Sequence, residues 1–187
     1  MTDQSAPSPL ARLAGAVGSA VALGGILLAT AVSPTFSWSE SALSDLGVAA
    51  PTALLFNGGL VLGGLLALGY AGALRRSARP VAVVYALCAC SLVGVGAFPS
   101  DTAAHVPVAV AFFVLLAATL ALDGVRRRAT TTGRASLLLA AVSVAAWPLW
   151  FLADIGPGVA VPELIGALSL ATWVVALAPP APMRARE

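Results

Sequence analysis

Long apolar runs separated by short polar segments dominate the pattern of this chain. Six of them are close to the roughly 20 residues that a helix needs to cross the hydrocarbon core of a bilayer. Proline lies at or near the start of five runs, where a missing backbone N–H costs nothing. The pattern therefore predicts an all-α fold, a bundle of six transmembrane helices. The predicted spans are residues 9–32, 51–74, 80–98, 106–122, 135–153 and 162–178.

Composition leads to the same class of protein. Of the 187 residues, 59% are hydrophobic and only 10% are charged, whereas about a quarter of the residues of a soluble domain are charged. We expect one transmembrane domain over residues 9–178, a disordered N-terminus over residues 1–8 and a C-terminal tail over residues 179–187. A net charge of +2 gives no reason to expect a nucleic-acid partner.

The distribution of charge predicts the orientation of the chain. With six spans, every basic residue falls on one side of the membrane, and the other side carries acids but no basic residue. The positive-inside rule then places both termini in the cytoplasm and the acidic loops outside the cell membrane. The basic residues are Arg12, Arg75, Arg76, Arg79, Arg126, Arg127, Arg128, Arg134, Arg184 and Arg186.

The first extracellular loop has the pattern of a short amphipathic helix folded over the mouth of the bundle. Ser37 and Glu40 have the spacing of a capping box at a helix start. Gly47 suits a left-handed residue that ends this helix, and Pro51 suits the start of the next one. Glu40, Ser41, Ser44 and Asp45 are predicted to share its polar side.

Polar residues also recur at the outer ends of the other spans, and we expect them to converge on one pocket. Asn57 lies about 9 Å below the outer boundary of span two, at 1.5 Å per residue. Asp101 and His105 have i, i+4 spacing, Asp154 closes span five, and Glu163 opens span six. Ionisable groups at membrane depth are costly and by default suggest function.

In this hypothesis Asp101 orients His105, and Glu163 or Asp45 acts as an acid–base group or metal ligand. Asn57, Ser44, Glu40 and Asp154 would bind the substrate. Each group also has a structural interpretation. Asp154 and Glu163 could be solvated loop acids, His105 a satisfied interfacial histidine, Asn57 a contact between helices, and Asp45 the end of the loop helix.

Cofactor chemistry stays open at this point. One histidine with several carboxylates lacks the nitrogen or sulfur ligands typical of zinc, while a divalent hard cation at the outer carboxylates would fit better.

Asp123, beside Arg126–Arg128, is predicted to form a solvated ion pair. The four tryptophans are interpreted as interface anchors and packing residues: Trp38, Trp147, Trp150 and Trp173.

Four short blocks resemble a prokaryotic family of six-helix membrane proteins known as domain of unknown function 998. The resemblance implies the six-helix fold and no reaction. A fainter similarity to eukaryotic Frag1/DRAM-type proteins, some of which take part in lipid-anchor remodelling, favours lipids as ligands. The blocks are LSDLG at 43–47, LFNGGL at 55–60, GAFPSD at 96–101 ahead of His105, and AVPEL at 160–164.

Three functions follow as hypotheses. The first is binding or processing of a membrane lipid at the outer pocket, with hydrolysis or acyl transfer as the concrete chemistry. The second is a small transporter or ion-linked carrier, which would need polar groups near the midplane. The third is a scaffold or accessory subunit, which binds a partner helix or a second copy through the glycines of span two, including Gly59 and Gly63.

Overall fold

The computed structural model describes residues 8–179, and this part of the chain contains helices, turns and loops but no β-strand. A five-residue 3-10 helix, Leu43–Gly47, follows the first α-helix and is called the loop helix below. A π-helical turn, Trp173–Leu177, continues the last one. The α-helices are α1 (Pro9–Val32), α2 (Thr52–Ala97), α3 (His105–Arg126), α4 (Thr131–Leu152) and α5 (Ala160–Thr172).

Predictions for the two ends of the chain lie largely outside the described residues. These are the N-terminal segment up to residue 7 and the tail from residue 180 onward, including Arg184 and Arg186. Spans two and three form the single helix α2, so the predicted boundaries at residues 74 and 80 have no counterpart; the other boundaries agree with the predicted ones to within a few residues.

Between residues 8 and 179, five helices are long and apolar enough to cross a membrane, the fifth being α5 together with its π-helical turn. Large apolar side chains cover the outside of the bundle, and Leu54 on α2 is 82% exposed. A water-facing surface would not carry this many apolar groups, whereas hydrocarbon accepts them. The chain is therefore a multi-pass membrane protein.

The 46-residue helix α2 is a hairpin rather than one rod. At 1.5 Å per residue a straight helix of this length would be about twice as long as the hydrocarbon core is thick. Its backbone breaks at Ala78, which has φ −149° and ψ 63°, two residues before Pro80. The halves then pack against each other, as the rings of Tyr70 and Tyr85 show with centroids 6.0 Å apart.

Glycines allow α1 to approach the first half of α2 closely. A Cβ atom on Gly63 would lie 2.7 Å from the carbonyl oxygen of Gly18 and 2.8 Å from the Cβ of Ala22. A Cβ atom on Gly59 would likewise lie only 3.0 Å from the Cα of Gly25. The Gly59–Gly63 face therefore packs against α1 of the same chain.

The loop helix differs from the predicted amphipathic helix in its start and in its faces. It begins at Leu43, and the Asp45 carboxylate accepts a hydrogen bond from the Ala42 N–H at 2.8 Å, so Ser37 and Glu40 do not form the predicted capping box. Gly47 has no positive φ. Ser44 is buried beside Leu43, away from the predicted polar side, because a 3-10 turn advances by three residues rather than 3.6.

The loop between α4 and α5 fastens the first loop in place. The backbone N–H of Gly158 donates to the carbonyl of Ser39 at 2.8 Å, and that of Ala160 donates to the carbonyl of Ser41 at 3.0 Å. Trp150 supports this loop from inside, since its Nε1 donates to the Gly158 carbonyl at 2.6 Å. The two loops therefore form one cap over this end of the bundle.

Candidate functional site

A cavity of about 80 Å³ lies beneath this cap, between α1, both halves of α2, α3 and α5. Its walls are mostly apolar; Ser44, His105 and Glu163 line it at the cap end, and Ser19, Tyr85 and Cys88 line it deeper in the bundle. This arrangement is typical of sites that bind amphiphilic or apolar ligands, in which a few polar groups fix the orientation. Apolar lining residues include Ile26, Phe56, Leu60, Phe112 and Leu170.

His105 contributes a ring nitrogen at the cap end of the cavity. It is the first residue of α3 and is 6% exposed. Its Nδ1 lies 2.7 Å from the carbonyl oxygen of Phe98. Because a carbonyl can only accept a hydrogen bond, Nδ1 donates to it, and Nε2 forms no hydrogen bond with residues 8–179.

Glu163 lies on the opposite wall, in the first turn of α5. Its Oε2 accepts a hydrogen bond from the backbone N–H of Leu43 at 2.6 Å, so this carboxylate holds the first residue of the loop helix. Its Oε1 has no hydrogen-bond partner among residues 8–179. One oxygen therefore has a structural role, and the other is available to a ligand.

Ser44 is the third polar group at this end, and it is buried. Ser44, His105 and Glu163 all line the cavity. No hydrogen bond joins any two of them in the described part of the chain. Ser44, His105 and Glu163 therefore share one cavity without forming a hydrogen-bonded relay of nucleophile and base.

Two further predicted residues stabilise the loop helix outside the cavity. Asp45 is exposed and caps Ala42. Asn57 donates from Nδ2 to the carbonyl of Gly47 at 2.8 Å, while its buried Oδ1 has no partner. The alternative interpretation of Asn57, a contact that holds neighbouring segments together, agrees with this geometry.

The remaining predicted residues do not reach the cavity. Asp101 is exposed and does not orient His105, since the Phe98 carbonyl occupies Nδ1. Asp154 is exposed in the turn after α4, where its φ is +49°. Glu40 is exposed and accepts a hydrogen bond from the Ser39 hydroxyl at 3.1 Å. The loop backbone directs these three side chains away from the bundle.

The deep end of the cavity holds groups that the sequence hypothesis left out. Tyr85 and Cys88, both on the second half of α2, line the cavity and are buried. Cys88 Sγ lies 3.8 Å from the carbonyl of Phe112. Tyr85 is the fifth residue after Pro80, and the position of a tyrosine inside an apolar span was the signal in the sequence that could have identified it.

A metal site at the outer carboxylates has no support in the geometry. Between residues 8 and 179, no group of three or more His, Cys, Asp or Glu side chains lies close enough to hold an ion. The carboxylates predicted to share a site instead lie in separate loops or bond to backbone groups.

Asp123 corrects another sequence prediction, because it is 1% exposed rather than solvated. Arg127 binds it through both Nε and Nη2 and also donates from Nη2 to the Leu177 carbonyl at 2.6 Å. The Ser136 hydroxyl donates to Oδ2 at 2.9 Å, and Trp173 Nε1 donates to the same oxygen at 2.8 Å. Trp173 is thus a buried donor and not an interface anchor.

Fold and cavity together define a class: multi-pass helical membrane proteins with a small, mostly apolar cavity beneath a loop cap. The chain belongs to the family described as "Protein of unknown function (DUF998)", whose match covers residues 16–179. No curated protein and no solved structure shows significant similarity to the chain. The relation to Frag1/DRAM-type proteins stays a prediction.

Proposed function

We propose that this protein crosses the cell membrane six times and binds a lipid-like amphiphile in the cavity beneath its loop cap. In this proposal each half of α2 is one crossing, the arginine-rich end faces the cytoplasm, and the loop helix faces outward. The family resemblance and the break at Ala78 support six crossings. The arginine distribution supports the orientation.

The observation that carries the binding proposal is the distribution of polarity within one cavity. His105 Nε2 and Glu163 Oε1 have free hydrogen-bonding capacity at the cap end, whereas the walls between them and Tyr85 are largely apolar. An amphiphile would place its polar group near the cap and its chain toward the middle of the bundle. A volume of about 80 Å³ admits a chain segment or a few water molecules, not a whole lipid.

Neighbouring residues of α3 offer a test with a matched control. Ala109 lines the cavity, and Val110 is 57% exposed on the outside of the same helix. Ala109→Phe should fill the cavity, and Val110→Phe should add the same ring on the membrane side. We expect a photoreactive fatty acid to label the wild type and Val110→Phe equally, and Ala109→Phe at least tenfold less.

A second variant keeps this test informative if Ala109→Phe does not fold. Glu163→Gln retains an oxygen that can accept the Leu43 hydrogen bond but removes the ionisable group at the cap end. It should move the labelled position or weaken the labelling without unfolding the cap. Equal labelling of the same peptides in all variants would refute a ligand site in this cavity.

Hydrolysis or acyl transfer stays a narrower hypothesis about the same site. It requires Ser44 or a bound water to reach His105 Nε2 once a ligand is present, as catalytic hydrogen bonds in apo enzymes are often long. His105→Gln should then change the lipid profile of a deletion strain complemented with the variant. An unchanged profile with intact fatty-acid labelling would leave a binding protein without this chemistry.

Neither alternative function has an observation that favours it over lipid binding. A carrier would need polar groups near the middle of the bundle, where the cavity offers only Tyr85, Cys88 and Ser19. A scaffold would need a free glycine face. The glycines named for that role, Gly59 and Gly63, already pack against α1 of the same chain. Gly69 and Gly72 have open space beside them in which a partner could pack.

A further inference from the structure

A second crevice, of about 710 Å³, lies at the opposite end of the bundle from the loop cap. The start of α1, the turn between α3 and α4 and the π-helical turn after α5 form its walls. Arg12, Tyr70, Arg127, Thr130 and Thr132 are its polar lining residues. None of the groups proposed to bind the amphiphile takes part in it.

Two arginines line the crevice, and they differ in whether an acid compensates their charge. Arg127 is held by Asp123, the Leu177 carbonyl and the Thr132 hydroxyl, so its charge is compensated and its guanidinium is fixed in position. Arg12 is exposed, and no acid between residues 8 and 179 forms an ion pair with it. Arg12 therefore supplies the uncompensated positive charge.

Tyr70 supplies a hydroxyl group to the crevice. The residue is 2% exposed and lines the crevice, and no residue between 8 and 179 forms a hydrogen bond with its hydroxyl. Asn57 Oδ1 is the only fully enclosed side-chain oxygen or nitrogen without a partner in this part of the chain, so the Tyr70 hydroxyl is accessible from the crevice and can donate to a ligand there. A ligand oxygen in the crevice would accept this hydrogen bond beside the two guanidinium groups.

The apolar part of the crevice indicates what else the ligand carries. Leu13 on α1 and Val175 in the π-helical turn line it, and both are more than half exposed on the outside of the bundle. An acyl chain could follow these side chains from the crevice into the surrounding hydrocarbon. Free phosphate would gain nothing from this surface.

We infer that the crevice formed by Arg12, Tyr70 and Arg127 binds the phosphate of an anionic phospholipid from the arginine-side leaflet. Arg12 contributes charge, Tyr70 donates a hydrogen bond, and Arg127 is a guanidinium already positioned by Asp123. Basic pockets between transmembrane helices on the cytoplasmic side are suited to such head groups. The crevice shares the apolar residue Val174 with the cavity beneath the loop cap, but none of its polar lining groups belongs to that cavity.

Two substitutions test the site without disturbing the Asp123 network. Tyr70→Phe removes only the hydroxyl, and Arg12→Gln removes an exposed charge. The matched controls are Ser91→Ala, which removes a hydroxyl that lines neither cavity, and Arg76→Gln, an exposed arginine that does not line the crevice. The full chain in detergent is titrated with phosphatidylglycerol or phosphatidylcholine, and the bound lipid is counted by native mass spectrometry.

We expect the wild type and both controls to bind phosphatidylglycerol in preference to phosphatidylcholine. Tyr70→Phe and Arg12→Gln should each weaken phosphatidylglycerol binding by about tenfold or more, the effect of losing a hydrogen bond to a charged group. Equal affinity for the two lipids, or equal losses in the controls, would overturn the proposal. So would inorganic phosphate that competes as effectively as the lipid, because the crevice would then be a site for free phosphate.

Discussion

The carboxylate of Glu163 accepts a hydrogen bond from the backbone N–H of Leu43 at 2.6 Å, across 120 residues of sequence. This contact joins the first turn of α5 to the first residue of the loop helix, directly above the cavity. Glu163 therefore combines two functions, because one oxygen closes the cap and the other is available to a ligand. The first prediction separates them.

Glu163→Leu should weaken the cap, since the Leu43 N–H would be buried without an acceptor. The loss should be about 1–3 kcal/mol, the cost of an unsatisfied buried donor. Glu163→Gln should lose less because its amide oxygen can still accept. Thermal unfolding in detergent and hydrogen exchange at Leu43 measure both effects, with Glu40→Gln as the exposed control. Unchanged exchange at Leu43 in Glu163→Leu would contradict the assigned role.

The buried pair of Asp123 and Arg127 gives a second prediction. Asp123→Leu leaves the Arg127 guanidinium without its carboxylate and should destabilise the protein by about 3–5 kcal/mol. The double variant Asp123→Leu, Arg127→Leu should recover much of this loss, because neither charge then remains unpaired. Unfolding measurements on the single and double variants test the coupling, with Asp101→Asn as an exposed acid expected to have no effect. Additive losses would mean that the pair is not coupled.

Glycine substitutions in the first half of α2 should separate close packing from helix propensity. Gly63→Ala places a Cβ 2.7 Å from the Gly18 carbonyl oxygen, so α1 must move, at a cost of about 1–3 kcal/mol. Gly69→Ala meets no atom within 4 Å and should be neutral or slightly stabilising. Equal melting temperatures for the two variants would show that α1 does not rest on Gly63.

Single cysteines test the number and direction of the crossings, after Cys88 and Cys90 are replaced by serine. If α2 crosses twice, Glu40→Cys and Asp101→Cys lie on the same side, whereas one crossing would place them on opposite sides. We expect a membrane-impermeant maleimide to label both in intact cells and to label Arg76→Cys only after permeabilisation. Labelling of Arg76→Cys in intact cells would reverse the proposed orientation.

The sequence predicted the depth of the polar groups better than it predicted their directions. His105 and Glu163 begin helices at the same end of the bundle, so hydropathy was enough to place both near one cavity. Asp101 and Asp154 lie in turns, and the positive φ of Asp154 is not encoded in a hydrophobic pattern. Their side chains consequently face solvent.

Asp123 shows the opposite error. Its arginine neighbours in sequence suggested a solvated pair, but the residues that bury it come from α4 and from the π-helical turn. Ser136 and Trp173 are 13 and 50 residues away along the chain, and both donate to the same carboxylate oxygen. No local spacing rule reports such partners, and the widened turn that presents the Leu177 carbonyl to Arg127 was equally absent from the pattern.

The network around Asp123 has a consequence for biosynthesis. Asp123 and Arg127 leave the ribosome together, but the Ser136 donor follows with α4 and the Trp173 donor only with the π-helical turn after α5. Until that turn arrives, the carboxylate lacks the Trp173 donor and the burial that the complete bundle gives it. A truncated or stalled chain would therefore expose an incompletely satisfied acid at the arginine-rich end of α3, a feature that membrane quality-control proteases could recognise.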